Sequence, residues 1–288
     1  MKIAIFGVSG QLGRDVASAL SAHRVDGVDH ARADIRNDGD VSRLVDALAP
    51  DWAVNCAAMT HVDGCEHDPL AAFEANAIGA RNIARACAAR GARLLHISTD
   101  YVFDGSKGAA YVETDLPRPI NAYGISKLAG ECFARYECAG AAVVRTSGLY
   151  GVHLCRGKGS SFVETMLARA AAGGPLSVVE DERLTPTFTA DLAAQIRAMI
   201  EADVPAGVYH ATNGGDCSWY EFTVELMRLA GATAGVRPIR AADWKSPTRR
   251  PANSVLANGA LQALGLDVMP AWRDALARYV AARPRPGA

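Results

Sequence analysis

Ile3-Ala4-Ile5-Phe6 forms a short uninterrupted apolar run that is stopped at once by Gly7-Val8-Ser9-Gly10-Gln11-Leu12-Gly13. A brief apolar run closed by turn residues predicts a buried strand. The period then changes: Leu12, Val16 and Leu20 share one face of a helix. The same switching continues down the chain. Val25-Asp26-Gly27-Val28 predicts a strand ending at Asp29, and Val41 to Leu48 a helix stopped by Pro50-Asp51. Trp52 to Ala58 predicts a strand and its exit, and Pro69 to Arg90 one helix with Phe73, Ala77 and Ile83 facing inward. A strand from Arg93 ends at Ser98-Thr99, a helix runs from Ala122 through Arg135, and Ala141 to Thr146 is the next strand. These strands and helices are read as parts of an α/β domain.

From Gly148 the pattern loosens. Gly148 to Gly159 is loop-rich and basic, with Arg156 and Lys158. Helices are predicted over 160–173, over 189–202 with Thr189 capping ahead of Asp191, and from Ser218 to Leu229. Pro and Gly punctuate 173–187 and 205–216, and the tail from Arg283 to Ala288 reads as a frayed end.

The chain has 288 residues, of which 50% are hydrophobic and 21% charged, an ordinary balance for a globular enzyme. A net charge of −1 offers no basic field for nucleic acid or an anionic membrane, so small molecules are the expected partners. Seven cysteines are scattered without a CxxC or a Cys/His cluster, so no metal site is expected and a reducing compartment is. With no signal peptide and no apolar run of ~18 residues, the expected location is the cytoplasm.

Strand, glycine turn and helix together are the context in which a glycine motif carries chemistry. Gly7 permits the tight turn, Gly10 lets backbone approach a pyrophosphate at the helix N-terminus, and Gly13 lets helix pack on strand, although the spacing is GxxGxxG rather than GxGxxG. Asp29 stands near where an acid meets the adenosine ribose and favours a free 2′-hydroxyl; nearby Arg32 would pair with a 2′-phosphate. NADPH and NADH therefore both stay open. Ala57 and Ala58 follow a strand and let backbone lie against a flat ligand. Thr99 places a hydroxyl at the carboxyl edge of the sheet, where ligands bind in open α/β folds.

Tyr123 and Lys127 are spaced to share one helix face, with Cβ atoms roughly 5–6 Å apart. A free phenol titrates near ~10, and moving it to ~7 takes roughly 4 kcal/mol, which a cation in a dry site can supply. A tyrosine so tuned can protonate a carbonyl oxygen near neutral pH. The segment Lys245 to Asn253 is basic and broken by proline; Arg249 or Arg250 could grip a diphosphate through two parallel hydrogen bonds.

Six blocks carry a resemblance: GVSGQLG at 7–13, NCAAMTHVDGCE at 55–66, STDYVFDG at 98–105, PINAYGISKLAGE at 119–131, RTSGLYG at 145–151 and RPANSVL at 250–256. Together they resemble the extended short-chain dehydrogenase/reductase superfamily, and within it the branch of dTDP-4-dehydrorhamnose reductase and its sugar-nucleotide relatives. The resemblance implies an α/β fold, a Rossmann-like doubly wound parallel sheet with a smaller C-terminal α/β substrate lobe: residues 1–150 binding the dinucleotide, 180–212 partly returning to that unit, and 151–179 with 213–288 forming the lobe. It implies Thr99, Tyr123 and Lys127 as the catalytic set. Gly7, Gly10, Gln11, Leu12, Gly13, Asp29, Asp34, Ile35, Ala57, Ala58, Tyr123 and Lys127 would face the dinucleotide, with Asp34-Ile35 resembling a pair that meets adenine. Thr60, Val62, Asp63, Arg250 and Asn253 would approach the substrate. Two positions depart from the branch: Gly148 stands where it usually has a tryptophan, and Leu184 where it usually has a glycine before x-Pro-Thr.

The implied activity is NAD(P)H-dependent reduction of the 4-keto group of a nucleotide-activated deoxysugar, dTDP-4-dehydrorhamnose foremost. A nucleotide sugar is the expected partner, with a homodimer as the one assembly entertained. An epimerase or dehydratase of the superfamily is an alternative; for a dehydratase, Tyr101 stands where the second acid after the strand-end Thr would be. A further alternative is a dinucleotide-binding partner protein like the regulatory subunit of methionine adenosyltransferase.

Overall fold

The computed structural model describes residues 1–153, 161–244 and 246–283. Arg156, Lys158, Lys245 and the tail beyond Arg283 lie outside the described residues. β1 (Lys2–Phe6), β2 (Arg24–Val28), β3 (Trp52–Asn55), β4 (Arg93–Thr99) and β5 (Ala141–Thr146) join a sixth strand, Gly207–His210, in one sheet. The order is Gly207–His210, β5, β4, β3, β1, β2, and every pairing is parallel. This is the expected Rossmann-like doubly wound sheet.

Successive strand residues point to opposite faces, so each apolar strand feeds two cores. Ile3, Ile5, Val54, Leu95 and Val144 pack on one face with Leu12, Val16 and Leu20 and with Leu192, Ile196 and Met199 of the Thr189–Glu201 helix. Ala4, Phe6, Ala53, Leu94 and Ala141 pack on the other with Val41, Val45, Ile83, Cys87 and Ala134. Burial on both faces explains why these strands read as unbroken apolar runs.

A further core gathers Tyr150, Val163, Met166, Phe188, Phe222, Leu226, Trp272 and Tyr279. Three short strand pairs accompany it: Leu176–Val179 with Val236–Ile239, Arg183–Leu184 with Cys217–Ser218, and Leu149–Tyr150 with Thr187–Phe188. Here Ser218 caps the Trp219–Ala230 helix in a reciprocal capping box with Glu221.

Three local expectations change. The 69–90 helix is α-helical over Pro69–Phe73, a π-helix over Glu74–Ile78, and α-helical again over Gly79–Arg90. The wider turn carries Asn76 inward, where its amide binds Met59 N (2.8 Å), Met59 O (3.0 Å) and Ser126 Oγ (2.9 Å). Phe73 is 37% exposed rather than buried. Thr189 does not cap: the helix begins at Thr189, and Phe188 at the N-cap has no side-chain bond.

Candidate active site

A cavity of about 730 Å³ runs along the carboxyl edge of the sheet. Its floor at one end is the turn between β1 and the Gln11–Ala19 helix. Gly7 holds φ +78°, and a Cβ there would fall 2.7 Å from Ala57 N. A Cβ on Gly13 would fall 2.2 Å from Gly7 O. Backbone therefore packs against backbone, and only glycine satisfies both positions. The helix N-terminus at Gly10 has no side-chain cap and no acid in its first turn, leaving its N–H groups available to an anion. Gln11 lines the cavity and donates to Gly151 O (3.3 Å) and His153 O (2.8 Å).

Asp29, Asp34 and Ile35 line the same end, joined by Ala57 and Ala58. Arg32 turns away from the cavity and donates to Gly27 O (2.8 Å). Arg36, which the sequence reading passed over, also lines the cavity and forks onto Asp34 at 2.6–3.0 Å, holding that carboxyl down at about 2.

The Ala122–Glu137 helix forms the opposite wall. Asn121 caps it by accepting from Gly124 N (2.8 Å), and the same side chain donates to Arg249 O (2.9 Å). Gly124 lets the helix lie against the 99–102 turn: a Cβ there would sit 2.1 Å from Tyr101 O. Tyr123 and Lys127 both line the cavity, as the helical spacing predicts, and the Tyr123 ring meets Tyr101 edge-on at 5.9 Å. Lys127 is only 3% exposed and donates to Ile97 O (2.7 Å). Burial pulls its ammonium down to about 8, and the charge of Glu131 one turn on works against that shift. Glu131 is itself buried, paired with Arg145 at 2.7 Å and accepting from Ser98 Oγ.

Thr99 lies at the end of β4 and lines the cavity. Its hydroxyl donates to Asp100 Oδ1 (2.9 Å), and Ser147 Oγ donates to Asp100 Oδ2 (2.7 Å). Burial pushes the Asp100 carboxyl above the usual range against these hydrogen bonds. Thr60 and Val62 line the far end together with Tyr101, Glu182, Leu184 and Trp219.

Three residues expected at the substrate stand back from the cavity wall. Arg250 donates to Asp63 Oδ1 (3.1 Å) and to Ser246 Oγ. Asn253 donates to Lys107 O (2.6 Å) and Ala109 O (2.9 Å), anchoring a loop. Among the described residues no His/Cys/Asp/Glu group is disposed to hold a metal, and no helix is long and apolar enough to cross a membrane.

A glycine-floored crevice on a parallel sheet, flanked by a Tyr/Lys helix, defines a dinucleotide-binding α/β protein. The family model described as the RmlD substrate binding domain matches residues 1–284, and the chain belongs to that family. It is 38% identical to the dTDP-4-dehydrorhamnose reductase of Streptomyces griseus over 98% of this chain and 96% of that one. Two solved dTDP-4-dehydrorhamnose reductases superpose closely. That from Clostridium acetobutylicum ATCC 824 does so with a TM-score of 0.93 and 38% identity over 98% of this chain and 99% of that one. That from Bacillus anthracis strain Ames, solved in complex with NADP, does so with a TM-score of 0.92 and 36% identity over 97% and 98%.

Proposed function

We propose that this chain is an NADPH- or NADH-dependent oxidoreductase that reduces the 4-keto group of a nucleotide-activated deoxysugar, taking dTDP-4-dehydrorhamnose to dTDP-rhamnose in the cytoplasm. Full-length similarity to reductases of that name supports the substrate class. The observation that carries the reading furthest is the placing of Thr99, Tyr123 and Lys127 along the same cavity as the Gly7–Gly13 turn.

The cavity fits a dinucleotide. The uncapped N–H groups at Gly10 suit its pyrophosphate, Asp29 the adenosine ribose, Asp34 and Ile35 the adenine, and Ala57 and Ala58 a flat surface laid against backbone. When bound, the nicotinamide supplies the hydride. Lys127 holds the nicotinamide ribose, and its charge favours the phenolate form of Tyr123 over what the phenol would reach alone. Tyr123 gives its proton to the C4 oxygen as negative charge develops there. Thr99 orients that oxygen. Because its hydroxyl donates to Asp100 in the free protein, it must exchange that acceptor for the substrate, or accept a hydrogen bond from a protonated Asp100 and so free its own O–H for the substrate. Arg250, held by Asp63 in the free protein, is suited to a diphosphate that outcompetes one carboxylate. Residues 1–150, with 180–212 in part, would mainly serve the cofactor, and 151–179 with 213–288 the sugar nucleotide, while Thr60, Val62 and Leu184 reach the sugar end from the first unit and its returning segment.

The test is net oxidation of NADPH or NADH by dTDP-4-dehydrorhamnose, one equivalent per sugar reduced. Recycling of the dinucleotide without net consumption would point to an epimerase, and binding without turnover to a regulatory subunit; either result would overturn the reductase.

A further inference from the structure

Gly148 and Leu184 lie 36 positions apart in the chain and meet at the cavity. Gly148 holds φ +53°, and a Cβ there would fall 2.7 Å from Leu184 Cδ1 and 3.2 Å from Pro186 Cα. The Leu184 methyl therefore occupies the room that a side chain at 148 would need. Both backbones are fixed. Thr187 N donates to Gly148 O (3.2 Å), Leu149 pairs with Thr187, and Leu184 pairs with Cys217 across a two-stranded sheet. Gly148 follows Ser147, which binds Asp100, which in turn binds Thr99. The Leu184 side chain is an apolar part of the wall of the same cavity that Thr99 lines.

Resting on the reductase reading, we infer that Leu184 is a specificity-determining residue: its side chain, admitted by the bare backbone at Gly148, faces the sugar and selects a hexose with a methyl rather than a hydroxymethyl carbon. A hydroxyl pressed on the Leu184 side chain loses water and gains no partner from it, since neither Leu184 nor the bare backbone of Gly148 carries a polar side chain. An apolar wall alone discriminates modestly, by about 10- to 100-fold.

The experiment titrates dTDP-L-rhamnose and dTDP-L-mannose, which differ only in the C6 hydroxyl, into the NADP-loaded protein by calorimetry. The unsubstituted protein is expected to prefer the deoxy sugar by about tenfold. Leu184→Ala should bring the ratio toward unity and leave affinity for dTDP alone unchanged. Leu184→Met, which keeps the volume, should preserve the preference. Thermal midpoints give an independent readout. Gly148→Ala should lower the midpoint more in the parent than in the Leu184→Ala background, since the φ strain is common to both and cancels, leaving the contact. An unchanged sugar preference in Leu184→Ala, an equal loss of dTDP affinity, or additive midpoints would overturn the inference. A shifted preference in a protein that oxidises no NADPH would uphold the wall and sink the reductase.

Discussion

The two ends of the cavity are built on opposite principles. At the cofactor end, glycines press backbone on backbone: Gly7 against Ala57, Gly13 against Gly7, and, in the flanking helix, Gly124 against Tyr101. None of these contacts can relax by rotating a side chain. At the end proposed for the sugar, side chain meets bare backbone, as Leu184 meets Gly148, and behind the wall Arg250 is paired with the carboxylate of Asp63. The first construction fixes where a dinucleotide and the Tyr/Lys helix lie. The second leaves the shape of the substrate pocket to a few exchangeable side chains. Under the proposed function, one end would set the chemistry and the other the molecule it acts on.

The sharpest break in that comparison would come from Tyr123→Phe. Turnover should fall about 10²-fold or more, while NADPH affinity, read by fluorescence titration, stays within a few-fold. An active Phe variant would remove the chemistry from this helix. Arg250→Ala comes next. Losing a charge-assisted pair worth about 1.5–3 kcal/mol should raise KM for the nucleotide sugar about 10- to 100-fold with kcat little changed. A fall in kcat alone would move Arg250 from the adjustable end to the fixed one. Gly124→Ala tests backbone packing: overpacking of about 1–3 kcal/mol should lower Tm by several degrees and reduce kcat as the helix shifts. A neutral result would show that the close approach to Tyr101 is not needed.

The mildest perturbation is a change of pH. If the ammonium of Lys127 is required, kcat/KM should fall about tenfold per unit as pH rises above about 8, where burial places its titration. The same group acts oppositely on stability. Its folded pKa lies below its unfolded value, so burying the charge costs stability below about 8, and the cost disappears as pH rises toward the unfolded pKa. A stability profile that falls with pH over that range would contradict the burial of a charged lysine.

The legible parts of the molecule were those set by local period. β1, the glycine turn, the end of β4 at Thr99 and the Tyr123/Lys127 helix stand where spacing and turn residues put them. What could not be read was set by contacts between distant residues. Asn76 reaches Met59 and Ser126 only because a helix widens by one π turn, and nothing in the local pattern announces that widening. Glu131 and Arg145 are buried as a pair, although each alone reads as solvent-facing. Asn253, which the resemblance sets near the substrate, donates to two loop carbonyls more than a hundred positions away, a contact no local pattern announces. Thr189 has the residue type of a cap but lies one position inside its helix.

One contact limits how such a protein can be retargeted. The Asn121 side chain starts the helix that carries Tyr123 and, through its other end, clasps the carbonyl of Arg249, next to Arg250. A loop transplanted from a relative to change the accepted sugar would have to present a carbonyl at that point. Otherwise the graft would unfasten the first turn of the helix, and an engineer seeking a new preference would measure a damaged catalyst instead.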